Sequence, residues 1–112
     1  MNINKKDIIR INQEADESGE FGNESSLDFA LGIIRQEKSW LYELSYLVRS
    51  IIVDHVFKDG NKRTAFLLVI GYFEDKNIDC NKDIVYKAVY DTSRKNIKDI
   101  NRIMRMIKNA ME

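Results

Sequence analysis

His55-Val56-Phe57-Lys58-Asp59-Gly60-Asn61-Lys62-Arg63-Thr64-Ala65-Phe66 opens the stretch that decides the fold, which runs on through Leu67-Leu68-Val69-Ile70-Gly71-Tyr72-Phe73. From Ala65 to Phe73 almost nothing is polar. Such a run needs a helix enclosed by others, because no face of it is suited to water. It falls well short of the roughly 20 residues that span a bilayer. Gly60-Asn61 is then the hinge at that helix's N-terminus, where unpaired backbone N–H groups and the positive end of the dipole collect. A helix start of this kind is a ready anion site. Just ahead of it stand the only histidine of the chain, His55, and a carboxylate, Asp59; just inside it stand two adjacent cations, Lys62 and Arg63. A lone base, a metal-capable carboxylate and an anion cradle in one short segment suggest chemistry on a phosphate.

Outward from this stretch the apolar spacing is helical nearly everywhere. Leu44, Leu47, Val48, Ile51 and Ile52 form the clearest amphipathic stripe, predicting a helix from about Ser39 to Asp54 that delivers His55 at its end. Upstream, Ile8, Ile11 and Ala15 mark a short first helix capped by Asn2 or Asn4. Residues 16–25 are rich in turn formers and read as the longest loop. A second helix starts near Ser25 or Ser26, with Leu27, Ala30, Ile33 and Ile34 facing inward. Downstream of the apolar run, Asn77 and Asp79 lie in a turn and Asn81 caps a helix patterned by Ile84, Val85, Ala88 and Val89. A last helix is expected from Asn96, burying Ile100, Ile103, Met104 and Ile107. Strand-like alternation is missing, as are repeats and low-complexity tracts. The expectation is one all-α domain over residues 1–112, a compact bundle of five to six helices with the hydrophobic helix after the motif loop at its centre.

Composition narrows the class further. A chain of 112 residues can bury one core without staples. Eighteen basic and eighteen acidic residues cancel, so no global field draws the chain to nucleic acid or an anionic membrane. Acidic residues are dense between Glu14 and Asp28 and basic ones gather after Lys87, a distribution that solvated helix faces explain. Cys80 stands alone, which leaves no disulfide framework and no zinc constellation and fits a reducing cytoplasm. The N-terminal residues are charged and carry no signal-peptide core. Proline is absent altogether, in keeping with helices joined by short connections.

Each part of the central motif has an ordinary reading on its own. A histidine at a helix end compensates the dipole, Asp59-Gly60-Asn61 is a turn or cap, and Lys62 and Arg63 are solvated. The joint pattern says more. Gly60 permits positive φ and close backbone approach, so successive N–H groups can point at one anion. Consecutive Lys62 and Arg63 cannot share a helix face and would reach around that anion from two directions. Asp59 would repel a phosphate unless a divalent cation lies between them, which points to magnesium held by one carboxylate and phosphate oxygens. Imidazole accepts protons near neutral pH, so His55 could take one from an incoming hydroxyl. These parts match phosphoryl or nucleotidyl transfer. No Gly-x-x-x-x-Gly-Lys-Ser/Thr element exists, so this is not a P-loop.

The pattern His-x-Phe-x-Asp-Gly-Asn-Lys-Arg-Thr-Ala resembles the signature of the Fic/Doc family, helical enzymes that transfer parts of a nucleoside triphosphate onto protein hydroxyls. The likeness is ungapped in the motif and extends more weakly over most of the chain. It implies His55 as general base, Asp59 as magnesium ligand, and Gly60, Asn61 and Arg63 as phosphate binders, with Lys62 beside them and Phe57 anchoring the motif loop in the core. It also places a target-docking flap near residues 16–25. AMP-transferring Fic enzymes usually carry Gly-Asn-Gly-Arg and a second arginine three residues on. Here Lys62 replaces that glycine and Phe66 that arginine, which is closer to the Doc (death-on-curing) toxins. Gly60 departs from the alanine common in Doc.

What the resemblance implies is a Doc-like toxin of a toxin–antitoxin pair, using ATP and magnesium to phosphorylate a Ser or Thr of a protein target such as a translation factor. Protein AMPylation by the same residues is the alternative, and a catalytically idle nucleotide- or protein-binding module is a third reading. Many Fic proteins silence themselves through Ser/Thr-x-x-x-Glu-Gly/Asn. The nearest match, Ser39-x-x-x-Glu43, is followed by Leu44, so control by a separate antitoxin protein is expected. Neither a membrane nor a nucleic acid is an expected partner, and the cytoplasm is the expected location.

Overall fold

The computed structural model describes residues 3–34 and 39–112 of the chain, without the side chain of Ile34. Among them are six helices and no strand: α1 (Lys5–Glu14), α2 (Glu24–Ile34), α3 (Trp40–Val53), α4 (Asn61–Asp75), α5 (Lys82–Arg94) and α6 (Ile100–Lys108). The all-α expectation holds, at the upper end of the expected helix number. The helix starts follow from side chains in the sequence. Asn4 and Asp7 exchange hydrogen bonds in a capping box, Ser39 accepts from the Tyr42 N–H, and Asn81 from those of Asp83 and Ile84. Asn2, the other cap considered for α1, lies outside the described residues, as does the side chain of Ile34.

Helix ends are equally systematic. Among the described residues, the non-glycine ones with positive φ are Asp16, His55, Asn77 and Asn96. Each stands two residues beyond its helix, in the left-handed position that closes the last turn. At α4 the closure is complete: Ile78 N–H donates to the Phe73 carbonyl and Asn77 N–H to that of Glu74. The same pair recurs at α5, with Ile97 bonding to Thr92 and Asn96 to Ser93. This corrects the last helix. Asn96 ends α5 and does not begin α6; Asp99 caps α6 through the Asn101 N–H, and Ile97 is buried between the two helices. The start of α2 shifts as well, because Asn23 accepts from the Ser26 N–H and puts Glu24 in the first turn.

One core holds the bundle. Leu44, Leu47, Val48, Ile51 and Ile52 of α3 pack with Ala65, Leu68, Val69, Tyr72 and Phe73 of α4, all buried. Both α3 and α4 are central: α3 contacts α2, α4, α5 and α6, and α4 contacts α1, α3 and α5. From α2, Leu31 joins Leu27 and Ala30 in the core, whereas Ile33, expected inside, is only half-buried. Met104 is likewise half-buried, and Ala110 behind α6 is sealed in its place. The radius of gyration is 12.5 Å, against about 13 Å for a compact chain of this length. No helix among the described residues is long and apolar enough to cross a membrane.

Candidate functional site

The motif occupies the junction between the two central helices. Asp54 ends α3 and His55 follows with φ 53°. Left-handed backbone is tolerated best by glycine, and by Asn, Asp and His more than by other residues. Three other helices end the same way, so this conformation alone is no sign of catalysis. Its consequence is positional: the chain turns sharply there and leaves His55 exposed.

Past His55 the loop is tied down from three sides. Phe57 is buried, as expected of an anchor, and its ring stacks on Phe21 with centroids 5.4 Å apart. The Asn61 amide clamps the loop, its Oδ1 accepting from the Phe57 N–H at 3.0 Å and its Nδ2 donating to the Phe57 carbonyl at 2.8 Å. The Asn61 side chain therefore holds the loop, and what it offers an anion is its backbone N–H in the first turn of α4. The turn-rich segment runs alongside: Gly22 N–H and Asn23 N–H both donate to the Val56 carbonyl, and Lys58 N–H donates to that of Glu20. Gly22 leaves little room for a side chain, since a Cβ would sit 3.1 Å from the His55 carbonyl oxygen and 3.3 Å from that of Phe57, a fit that needs the motif loop to give by a few tenths of an ångström.

Asn12, a residue without any local sequence signal, joins all of these pieces. It is 1% exposed on α1. Its Nδ2 donates to the Thr64 hydroxyl at 2.9 Å and to the Asp59 carbonyl at 3.1 Å, while its Oδ1 accepts from the Gly19 N–H at 2.9 Å. One buried amide thus fixes the turn-rich loop, the motif loop and the first turn of α4 together. Only the tertiary fold brings Asn12 and Thr64 into contact.

At the start of α4, Gly60 is the N-cap with φ 74°, and no side chain caps the helix. Its first-turn N–H groups are the ones an anion would take. Lys62 and Arg63 diverge as their spacing requires. Lys62 reaches toward α5, with its ammonium 5.5 Å from the centre of the Tyr90 ring. Arg63 reaches toward α1, where Nη1 donates to the Ala15 carbonyl at 2.8 Å. Both nevertheless line one cavity of about 460 Å³, together with Gly60, Phe66, Glu17, Tyr86, Val89 and Tyr90. That volume is in the range of small-molecule sites. His55, Asp59 and Asn61 do not line it; they border the motif loop outside the cavity.

Glu17 is the second residue that the sequence did not reveal. Its side chain lies over Gly60, so that a Cβ on residue 60 would come 2.4 Å from Glu17 Cγ. An alanine at this position would collide unless Glu17 moved. This gives a physical reason for glycine where the Doc pattern commonly has alanine.

The metal expectation can be weighed against the donor set. No group of three or more His, Cys, Asp or Glu side chains converges among the described residues. Magnesium does not require such a cage, since it commonly takes one or two carboxylates and completes its shell with substrate phosphates and water. The Asp59 carboxylate is exposed immediately before the uncapped turn that opens α4, and a hard oxygen donor there fits that mode. Burial raises the Glu43 carboxyl, the Tyr72 phenol and the Cys80 thiol above their usual values. A thiol held protonated is a poor nucleophile, in keeping with an inert Cys80.

No family model matches the chain, and no curated protein matches it significantly. The likeness to Fic/Doc enzymes therefore stands on the motif residues themselves.

Proposed function

We propose that this chain is a Doc-like toxin that transfers the terminal phosphoryl group of ATP to a Ser or Thr hydroxyl of a protein target such as a translation factor. One observation carries the reading. An uncapped helix start with a left-handed glycine, Gly60, shares a cavity with Lys62 and Arg63, and the exposed His55 stands at the head of the same loop. In this mechanism the N–H groups of the first turn of α4, with Lys62 and Arg63, hold the phosphates and spread their charge. His55 accepts the proton of the acceptor hydroxyl as its oxygen bonds to the terminal phosphorus. The bond from that phosphorus to the β–γ bridging oxygen breaks, and ADP departs. Magnesium, held by Asp59 and phosphate oxygens, would supply neutralisation of the charge on the leaving diphosphate.

Two residues favour phosphoryl over nucleotidyl transfer. Lys62 fills space that a glycine leaves open in AMP-transferring enzymes, and Phe66 packs edge-on against Tyr86, 6.4 Å between centroids, where those enzymes place an arginine. AMP transfer remains the second reading, because Gly60 matches the AMP-transferring pattern better than the Doc one. A separate antitoxin chain is the proposed regulator. In support, Glu43 of α3, in the one segment resembling a self-inhibitory motif, is absent from the cavity lining.

The deciding experiment incubates the protein with cell extract and ATP labelled separately at the α- and γ-phosphates. Label on a protein from the γ-position alone supports phosphoryl transfer. Label from the α-position replaces it with AMP transfer, and no label from either leaves a binding module.

A further inference from the structure

The charge balance of the whole chain conceals a local excess. From Arg94 to Lys108 stand six cations and one carboxylate, Asp99. Arg94 is engaged, paired with Asp91 at 3.5 Å and lying on the Tyr90 ring. Lys95, Lys98, Arg102, Arg105 and Lys108 are exposed, and none of them forms an ion pair among the described residues. Arg102, Arg105 and Lys108 follow α6 in steps of about 4.5 Å, on the side away from buried Ile100, Ile103 and Ile107, and Lys98 extends the row ahead of the cap. Dipole compensation accounts for Arg105 and Lys108, which lie in the last turn. It does not account for Lys98 and Arg102. These flank the N-terminus of α6, whose first turn holds no acidic residue, so they meet the positive end of the dipole. Asp99 is committed there as the cap, its Oδ1 accepting from the Asn101 N–H. The row is also held in place, because Arg49 of α3 donates from Nη1 to the Lys98 carbonyl at 3.2 Å and lies on the Tyr46 ring.

The rest of the face decides its partner. Asn96, Asn101 and Asn109 are exposed beside the cations. The exposed large apolar side chains among the described residues are Phe29, Ile84, Tyr86 and Tyr90, and none belongs to this face. A membrane surface needs apolar side chains to insert, and a protein interface needs aromatic or aliphatic anchors at its centre. A single-stranded nucleic acid needs exposed rings on which its bases stack. Arginine, lysine and asparagine without apolar neighbours suit the phosphodiester backbone of a duplex.

We infer that the α6 face, with Lys98, Asn101, Arg102, Arg105 and Lys108, docks on the phosphate backbone of a nucleic-acid duplex, independently of its base sequence. None of these residues lines the cavity at the start of α4, so the surface stands apart from the chemistry proposed there. Four cations neutralise about three to four phosphates and release their counterions, which makes the affinity steeply dependent on salt.

The test is fluorescence anisotropy of the full chain with a labelled duplex of mixed sequence, as DNA and as RNA, with the single strand and anionic vesicles as further probes. Binding of at least one duplex is expected, weakening about 50- to 100-fold between about 50 and 200 mM salt. Arg102→Glu with Arg105→Glu should abolish it, and Arg102→Lys with Arg105→Lys should retain it. Arg102→Gln with Arg105→Gln, a milder change should the reversal of charge disturb folding, should lower the salt slope by about two. Circular dichroism checks the fold of each variant. Arg63→Ala should leave duplex affinity unaltered; a loss there in place of the α6 variants moves the contact to the motif and overturns the inference. So does absence of duplex binding at low salt, equal affinity for the single strand or the vesicles, or binding indifferent to the α6 substitutions.

Discussion

At the scale of single residues, the motif divides into groups free to act and groups already committed. The Asn61 amide and the Phe57 ring are committed, since they hold the loop. His55 and Asp59 are exposed and free to meet a substrate. His55→Ala is therefore expected to lower transfer by about 10²–10⁴, the usual worth of a general base, with nucleotide affinity nearly unchanged. Near-normal turnover in a folded variant would remove His55 from the mechanism. Gly60 is constrained twice, by its φ of 74° and by the Glu17 side chain above it. Gly60→Ala should lose about 1–2 kcal/mol from the left-handed backbone alone and more from the collision. In a double-mutant cycle, Glu17→Ala should return only the collision part. Strict additivity in urea unfolding would mean that Glu17 simply swings aside.

At the scale of elements, the turn-rich segment between α1 and α2 is part of the site's frame and not a mere connector. Its residues 20–23 bond to the motif loop, and Asn12 ties its Gly19 to Asp59 and Thr64. Removing the Asn12 amide takes away the partner of the buried Thr64 hydroxyl, worth about 1–3 kcal/mol, and those of the part-buried Asp59 carbonyl and Gly19 N–H, worth less. Asn12→Ala should accordingly destabilise by about 3 kcal/mol. Hydrogen exchange should show lost protection at Gly19, Gly22 and Asn23 before any loss in α5 or α6. Uniform loss across the chain would instead make Asn12 an ordinary core residue. Transfer should weaken even where folding survives, because His55 is placed by the same loop.

At the scale of the whole molecule, one core joins all six helices, with α5 packed on both α3 and α4, α2 and α6 on α3, and α1 on α4. Within that core the Tyr72 hydroxyl is buried and has no hydrogen-bond partner among the described residues. Burial raises both its phenol and the Glu43 carboxyl, and the Glu43 charge raises the phenol further. For Glu43 the folded-state value lies above the ordinary 4.5, so the native state binds its proton more tightly than the unfolded chain does. The favourable contribution of the protonated form is present below pH 4.5 and is lost as pH rises through the folded value. Glu43→Gln is thus expected to raise the unfolding midpoint at pH 7 and to have less effect near pH 4. An equal effect at both values would show that the carboxyl does not report on burial.

The sequence by itself determined the all-α class, the two central helices and most of their caps, because apolar period and cap chemistry are local properties that neighbouring residues settle. It also placed Phe57 in the core and separated Lys62 from Arg63 by helix geometry alone. It misplaced the start of α6, because Asn serves equally as an N-cap and as the left-handed residue that closes a helix, and only the bonds from Asn96 and Ile97 back to α5 decide between them. Tertiary structure alone decided that Asn12 reaches Asp59 and Thr64, that Glu17 lies over Gly60, and that Tyr86 and Tyr90 wall the cavity beside Lys62 and Arg63. Those contacts join residues far apart along the chain, and no periodicity or spacing encodes which distant side chains will meet once the helices pack.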